Sequence, residues 1–301
     1  MRVQILGCFA GAPRSSMTSS AQLLEIKGHL FLIDCGEATQ FQLRKAGAKF
    51  SRIKHIFISH LHGDHYFGLV GLISTFNLLG RTAELCIYGP KGIKDIILLQ
   101  FKLGKAHLGF PLHFVELDEK NSVLLFEDDA VVVKTLPLRH RIYCNGFLFQ
   151  AKAGERILNL QKALELGIDT AYFNKLKQAC DVPNQKGEII DFKTVTKDPP
   201  LPKSYAYCSD TIYDPNLPNA IQGVTALYHE ATFLDELSEI AKKTMHTTAK
   251  QAAQIALKAS AKHLLLGHFS TRYKTTEAFC EEARQVFPNT QICKPLDVFE
   301  F

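Results

Sequence analysis

The chain reads as an α/β protein: two β-sheets packed face to face with helices on their outer sides, a four-layer αβ/βα sandwich. Three features of its 301 residues lead there. Short apolar strands fill the stretch up to residue 151 and return after residue 202. Segments with helical periodicity follow strands in both stretches, enough to cover one face of each sheet. Between the two lies a polar segment, about residues 154–202, that holds neither pattern for long.

Val3–Leu6, Ala21–Ile26 and His29–Asp34 are apolar runs between turn residues and form the first strands; "HIFIS" (55–59) forms another. "GLVGLISTFNLL" carries apolar residues at helical spacing. "AELCIYGP" is a strand stopped by Gly-Pro, and "KGIKDIILLQFKLG" is the helix after it. Strands dominate from Leu112 to Gln150, as "LHFVEL", "SVLLFE", "AVVVKTL" and "GFLFQA". The 154–202 segment is rich in Lys, Asp and Asn, holds short helical pieces such as "NLQKALELG", and includes the breaker run "KDPPLPK". It reads as a protruding arm inserted into a single domain spanning 1–301. "KSYAYCSD" (203–210) and "VTALYHEA" (224–231) return to strand. "TTAKQAAQIALKAS" sets Ala252, Ile255, Ala256 and Ala259 on one helix face, with Thr247 or Thr248 to cap it. "KHLLLGH" (262–268) is a last buried strand.

Hydrophobic content of 46% and charge of 22% are those of a globular soluble protein. No stretch approaches the roughly 18 continuous apolar residues that span a bilayer. "MRVQILGCFAGAPRSS" has too short an apolar run for a signal peptide and reads as a first strand and loop, so the expected compartment is the cytoplasm. The eight cysteines are scattered, without a C-x-x-C pair, which suits a reducing compartment. A net charge of +5 permits a nucleic-acid partner without demanding one.

Directly after "HIFIS" stands "HLHGDH" (60–65). In extended or turning backbone alternate side chains point the same way, so His60 and His62 can chelate one ion. Asp64 and His65, beyond the Gly63 bend, can aim at a second. Neutral imidazole and carboxylate are ligands that zinc and similar cations accept. Two ions need more ligands than four residues supply, and three candidates follow apolar runs, at the rim of a sheet: His140 in "LPLRHRIYCNG", Asp210 ending "YAYCSD", and His268 ending "HLLLGH". Asp210 is the natural bridge, because a carboxylate reaches two cations about 3.5–4 Å apart.

Other polar residues carry a blander reading. His29, His55, His107, His113 and His263 lack companion ligands and read as surface or satisfied core residues. His229 ends a strand beside Glu230 and fits either reading. Cys208 faces the same way as Asp210 and reads as a packed thiol beside the site. His246 opens "HTTA" without metal-ligand spacing, which leaves a catalytic or phosphate-contacting role and an ordinary structural one both open. Arg272, Lys274 and Thr271 are candidates for backbone phosphates, or for an ordinary solvated loop.

Taken in order, these residues resemble the metallo-β-lactamase superfamily and, more specifically, its ribonuclease Z family of short-form tRNA 3′-processing endonucleases. The blocks are "DCGEATQFQL" (34–43), "SHLHGDHYFGLVGLIST" (59–75), "YGPKGI" (88–93), "SDT" (209–211), "HEATF" (229–233), "HTTAKQAAQIA" (246–256) and "LGHFSTRY" (266–273). The resemblance implies one zinc ion held by His60, His62 and His140, a second by Asp64, His65 and His268, and Asp210 between them; manganese or iron fits the same ligands. It further implies that Asp64 orients or deprotonates the attacking water, that His246 protonates the leaving group with Glu230 as its orienting partner, and that Arg272 contacts substrate. The implied reaction is hydroxide attack on a precursor-tRNA phosphodiester, leaving a tRNA 3′-hydroxyl. The arm falls where that family grips tRNA, although "GIDTAYFNKLKQA" lacks the family's Gly-Pro turn, and a homodimer is implied by likeness alone. "DCGEATQ" carries Ala38 where the family has Gly, without evident consequence for metal binding. The rivals are another hydrolase of the superfamily, acting on a general phosphodiester, a thioester or a β-lactam, and a non-catalytic RNA-binding module.

Overall fold

The computed structural model describes residues 1–12 and 17–301; residues 13–16, part of the loop expected after the first strand, lie outside the described residues. In chain order the strands of its two large sheets are β1 (Arg2–Gly7), β2 (Ala21–Ile26), β3 (His29–Ile33), β4 (Ile53–Phe57), β5 (Leu85–Pro90), β6 (Leu112–Leu117), β7 (Leu124–Glu127), β8 (Val131–Leu138), β9 (Cys144–Ala151), β10 (Ser204–Cys208), β11 (Ala226–Glu230), β12 (His263–Gly267), β13 (Thr290–Ile292) and β14 (Val298–Glu300). The sheets run β14-β1-β2-β3-β4-β5-β6 and β13-β12-β11-β10-β9-β8-β7. Both are mixed: β3 to β6 are mutually parallel, as are β10 to β13, and antiparallel pairs adjoin them.

The inner faces meet through aromatic rings. Phe31 and Phe57 of the first sheet lie 5.3 Å from Phe149 of the second, and Phe57 lies 5.4 Å from Phe147, centroid to centroid. β11 is buried at every residue, as a strand between two parallel neighbours and covered on both faces must be. The outer faces take helices. Leu43 of α1 (Thr39–Lys45), Leu72 and Phe76 of α3 (Leu69–Leu78), and Ile93 and Ile97 of α4 (Ile93–Leu103) cover the first sheet; the four-residue α2 (Gly63–Tyr66) precedes α3. Ala252, Ala253, Ile255 and Ala256 of α5 (Ala249–Lys258), with Phe279 and Ala283 of α6 (Glu277–Arg284), cover the second. Helix, sheet, sheet and helix make the four layers that the sequence predicts.

The α5 helix starts at Thr248, whose hydroxyl accepts from the Gln251 amide at 3.2 Å while the Gln251 side chain accepts from the Thr248 amide at 3.1 Å. This reciprocal pair satisfies two of the amides a helix start leaves unpaired. Several elements escape the sequence reading, α1, α6, β13 and β14 among them. In α6 only Phe279 and Ala283 are buried, α1 has one turn of apolar contact, and β13 and β14 are three-residue strands that exist through their partners. β8 continues to Leu138 through Pro137, two residues beyond its expected end.

Residues 151–202 form a second compact unit with its own small core of Ala163, Ile168, Leu176, Val182 and Val195. Within it the Arg156 guanidinium lies 4.7 Å over the Phe192 ring and donates to Thr196 at 2.7 Å, so charge and aromatic surface stiffen a unit too small for a large core.

Ala38 caps α1 in the left-handed region, at φ 66°. A Cβ there is strained, so Ala38→Gly should stabilise the protein by about 0.5–1 kcal/mol once the freer unfolded glycine is allowed for. Urea denaturation monitored by circular dichroism checks this; an unchanged or lower midpoint contradicts it.

Candidate metal centre

The C-terminal ends of the parallel strands converge here. After β4, Ser59 and His60 are fully buried, and His62 precedes α2 with extended backbone. The first turn of α2 then swings Asp64 and His65 the other way. That turn is held from behind by the loop after β3: the Cys35 amide donates to the His65 carbonyl at 2.7 Å and the Gly68 amide to Cys35 at 2.9 Å. Only glycine fits at residue 36, because a Cβ would come 2.3 Å from the Asp64 carbonyl oxygen. Asp210 follows β10, His268 follows β12, and His140 lies between β8 and β9.

All seven expected ligands come together, in two groups. His60, His62, His140 and Asp210 present donor atoms within 4.8 Å of one another, and so do Asp64, His65 and His268. In the first group His62 Nδ1 lies 3.0 Å from His60 Nε2 and 3.3 Å from His140 Nε2. In the second, His65 Nε2 and His268 Nε2 are 3.3 Å apart. Asp210 faces both: Oδ2 lies 3.6 Å from His60, while Oδ1 lies 3.4 Å from His65 and 3.1 Å from His268.

These distances fit a cation. Ring nitrogens so close cannot all be paired by protons, whereas ligands about 2.0 Å from a tetrahedral ion sit about 3.3 Å from each other. Oδ1 of Asp210 is buried and accepts no hydrogen bond among the described residues, an acceptor that a cation would satisfy. Imidazole and carboxylate are the donor set of a divalent metal of zinc type.

Three of the imidazoles are aimed by their other nitrogen. His65 Nδ1 bonds Asp34 Oδ2 at 2.8 Å, His140 Nδ1 bonds the Met245 carbonyl at 2.9 Å, and His268 Nδ1 bonds the Thr232 hydroxyl at 2.9 Å. Donation from Nδ1 leaves the Nε2 lone pair facing inward. Burial pushes His60, His62 and His140 below the ordinary imidazole range, so at neutral pH they are uncharged donors. His65 goes the other way: burial disfavours its charge, but Asp210, Asp34 and Asp64 outweigh that and hold it up to about 10. Burial would likewise raise Asp210 and Asp64, but the surrounding imidazoles, His268 and His65 foremost, hold both below the usual carboxylate range.

A second dyad adjoins the centre. His246 Nδ1 is 2.9 Å from Glu230 Oε1 and 4.0 Å from Asp210 Oδ2. Glu230 is fully buried and also accepts from the Thr211 and Thr247 amides at 3.1 Å, and from the Thr232 amide and hydroxyl at 2.9 and 2.7 Å. Burial opposes charge on His246, but the Glu230 carboxylate prevails and holds the imidazolium up to about 9. Arg272 is exposed at the rim, its guanidinium 5.0 Å over the Phe233 ring and its Nε 3.2 Å from Ser270 Oγ.

The remaining histidines lie outside both groups. His29 pairs with Asp128 at 2.7 Å, His263 with Asn289, and His229 is buried with Nδ1 bonded to the Glu230 carbonyl at 2.7 Å. Cys208 is a buried core thiol. Sequence reasoning missed Asp34, although it stands in a block singled out there. Its carboxylate accepts from the Ser59 amide at 2.7 Å and hydroxyl at 2.9 Å and from Tyr207 at 2.6 Å, besides meeting His65. A lone acid ending a strand was the available signal, but its partners are 25, 31 and 173 residues away. Asp34→Ala should lower the affinity for a divalent cation about 10–100-fold. Competition with a chromophoric chelator measures it; an unchanged affinity would show that Asp34 only packs.

Comparison with known proteins fits this geometry. The family model of the anti-Pycsar protein Apyc1 matches residues 1–101. The ribonuclease Z of Bacteroides fragilis is 44% identical over 292 residues, 97% of this chain and 96% of that protein. The crystal structure of human tRNase Z, short form, superposes with a TM-score of 0.71 at 29% identity, over 100% of this chain and 99% of that one. A metallo-β-lactamase fold protein from Bacillus subtilis gives a TM-score of 0.69 at 19% identity over 100% and 99%, a likeness of fold alone. Sequence identity of that extent, over nearly the whole length of both chains, assigns the chain: it belongs to the ribonuclease Z family, within the metallo-β-lactamase fold.

Proposed function

We propose that the chain is an endoribonuclease that removes 3′ trailers from precursor tRNA with two zinc ions, leaving a 3′-hydroxyl on the tRNA body. The observation that carries the reading is the buried Glu230–His246 dyad standing against the Asp210 carboxylate. His60, His62 and His140 with one oxygen of Asp210 would hold one ion, and Asp64, His65 and His268 with the other oxygen the second. When bound, such ions supply an activated water near neutral pH and positive charge against the phosphodiester oxygens; manganese or iron would suit the same donors.

The protein's own groups supply the rest. Asp64, held ionised and fixed by the Gly11 amide at 2.8 Å, is suited to orient the attacking water and take its proton. His246 keeps its proton at neutral pH and can give it from Nε2 to the leaving 3′-oxygen, while Glu230 stabilises the imidazolium and fixes its tautomer. Arg272, propped on Phe233, is suited to a backbone phosphate.

For the 151–202 unit we propose contact with the tRNA elbow through phosphates and shape, using exposed lysines such as Lys175, Lys186 and Lys193. A homodimer is supported by apolar side chains exposed on and beside α1 and α3: Phe41 at 64%, Phe67 at 59% and Leu78 at 83%. Eight free cysteines support a reducing, cytoplasmic setting, and among the described residues no helix is long and apolar enough to cross a membrane.

Incubation of a 3′-extended precursor tRNA with zinc-loaded protein should give one discrete endonucleolytic cut near the end of the acceptor stem. Asp64→Ala should abolish it, and His246→Ala should slow it about 10²–10⁴-fold. Equal cleavage by all three would refute the assigned roles; preference for a thioester over a bis-nitrophenyl phosphate would favour the rival hydrolase.

The pH profile tests the dyad. A proton donor held up to about 9 stays charged through neutrality, so activity should fall only as pH rises through that value. In Glu230→Gln the support is gone and the alkaline limb should move down towards the ordinary imidazole range, cutting the rate at pH 8 roughly thirtyfold. An unmoved limb would dissociate His246 from proton donation.

A further inference from the structure

A groove of about 710 Å³ opens beside the metal centre, between the β8–β9 loop and the Glu119–Lys120 turn. His140 and Arg141 line it, and Arg141 also lines the pocket of His62, Asp64, Asp210, His246 and His268. The Arg141 side chain therefore stands where the two spaces meet. It is exposed, and among the described residues no hydrogen bond or ion pair engages it.

The groove wall has a definite chemistry. Pro137, Leu138, Ile142 and Met245 give apolar surface, and Tyr143 adds an aromatic ring fixed by two bonds. Its hydroxyl donates to the Glu119 carbonyl at 3.2 Å and accepts from Asn145 at 2.6 Å. Lys120, Arg139 and Arg141 outnumber Glu119 and Asp214 at the edge. Aromatic surface beside unpaired cations is the recognition chemistry of single-stranded nucleic acid, whose unstacked bases and phosphates it meets together. A duplex, with its bases stacked inward, could offer such a cleft only phosphates.

We propose that this groove holds the first nucleotides of the trailer, with Arg141 on the phosphate next to the scissile one and Tyr143 against an unstacked base. The inference rests on the endonuclease reading and deepens it. In a 3′-extended tRNA the strand on one side of the cut leads into the paired acceptor stem. Only the trailer leads away unpaired, which is why the trailer is the occupant.

Steady-state kinetics on precursors with a one-nucleotide and a six-nucleotide trailer test it. For the wild type KM should fall about tenfold on the longer trailer, the scale of one stacked base. Arg141→Ala and Tyr143→Ala should lose that gain, raising KM on the longer trailer about tenfold with kcat within about twofold. Tyr143→Phe, which keeps the ring, should retain it. A wild-type KM indifferent to trailer length overturns the subsite alone. A loss in kcat shared by both trailers also overturns it, since Arg141 would then act on the metal centre. Failure of the wild type to cut either precursor overturns the endonuclease reading and the subsite with it.

Discussion

Asp210 imposes the demand that the rest of the site answers. Its side chain is 4% exposed just past the end of a central strand, and an ionised carboxylate so far from water is tolerable only with positive charge or donors around it. Among the described residues no hydrogen bond reaches Oδ1. Instead imidazoles from four separate segments surround the two oxygens. Asp34 and Glu230, equally buried, are matched by several protein donors each. The contrast separates carboxylates that build the scaffold from the one left open for a cation.

The scaffold carboxylates also fix the relative positions of the loops. Glu230 takes amides from Thr211, Thr232 and Thr247, so the loop after Asp210, the segment that follows His246 and its own strand end meet at one residue. A shift of any of them leaves a buried acceptor short of a donor, which costs about 1–3 kcal/mol. His246 is thus held in register with the clustered imidazoles and Asp210 by the same group that raises its proton affinity. Two residues here also carry left-handed backbone, Asp34 at φ 54° and His268 at φ 58°. Both sit where a strand ends and must turn a side chain inward, and their hydrogen bonds hold the strained conformation.

The reactive centre is buried while its surroundings are open, and the two call for different chemistry. Inside, burial keeps His60, His62 and His140 neutral and leaves the Glu230–His246 ion pair desolvated. Outside, Arg141 and Arg272 stand exposed on either flank as weakly hydrated cations suited to phosphates. The separate core of residues 151–202 lets that unit carry surface lysines without drawing on the packing of the sandwich.

Much of this was legible in the residues themselves. "HLHGDH" after a strand, with His140, Asp210 and His268 after apolar runs, exposes its donor pattern because strand ends are where periodicity stops and chemistry begins. Burial periodicity likewise reveals α3, α4 and α5, each with a continuous apolar face. Other features needed the folded chain. α6, β13 and β14 have too little apolar surface to declare themselves, and they form because the larger body supplies partners. Asp34 and Thr232 matter through hydrogen bonds to residues distant in sequence, and the left-handed backbone at Ala38 shows only in the fold. The groove at Arg141 belongs to this second class. Local sequence specifies which groups are present and which face of an element is apolar. Only tertiary contact, by deciding which buried polar atoms find partners, determines which of those groups remain free to act.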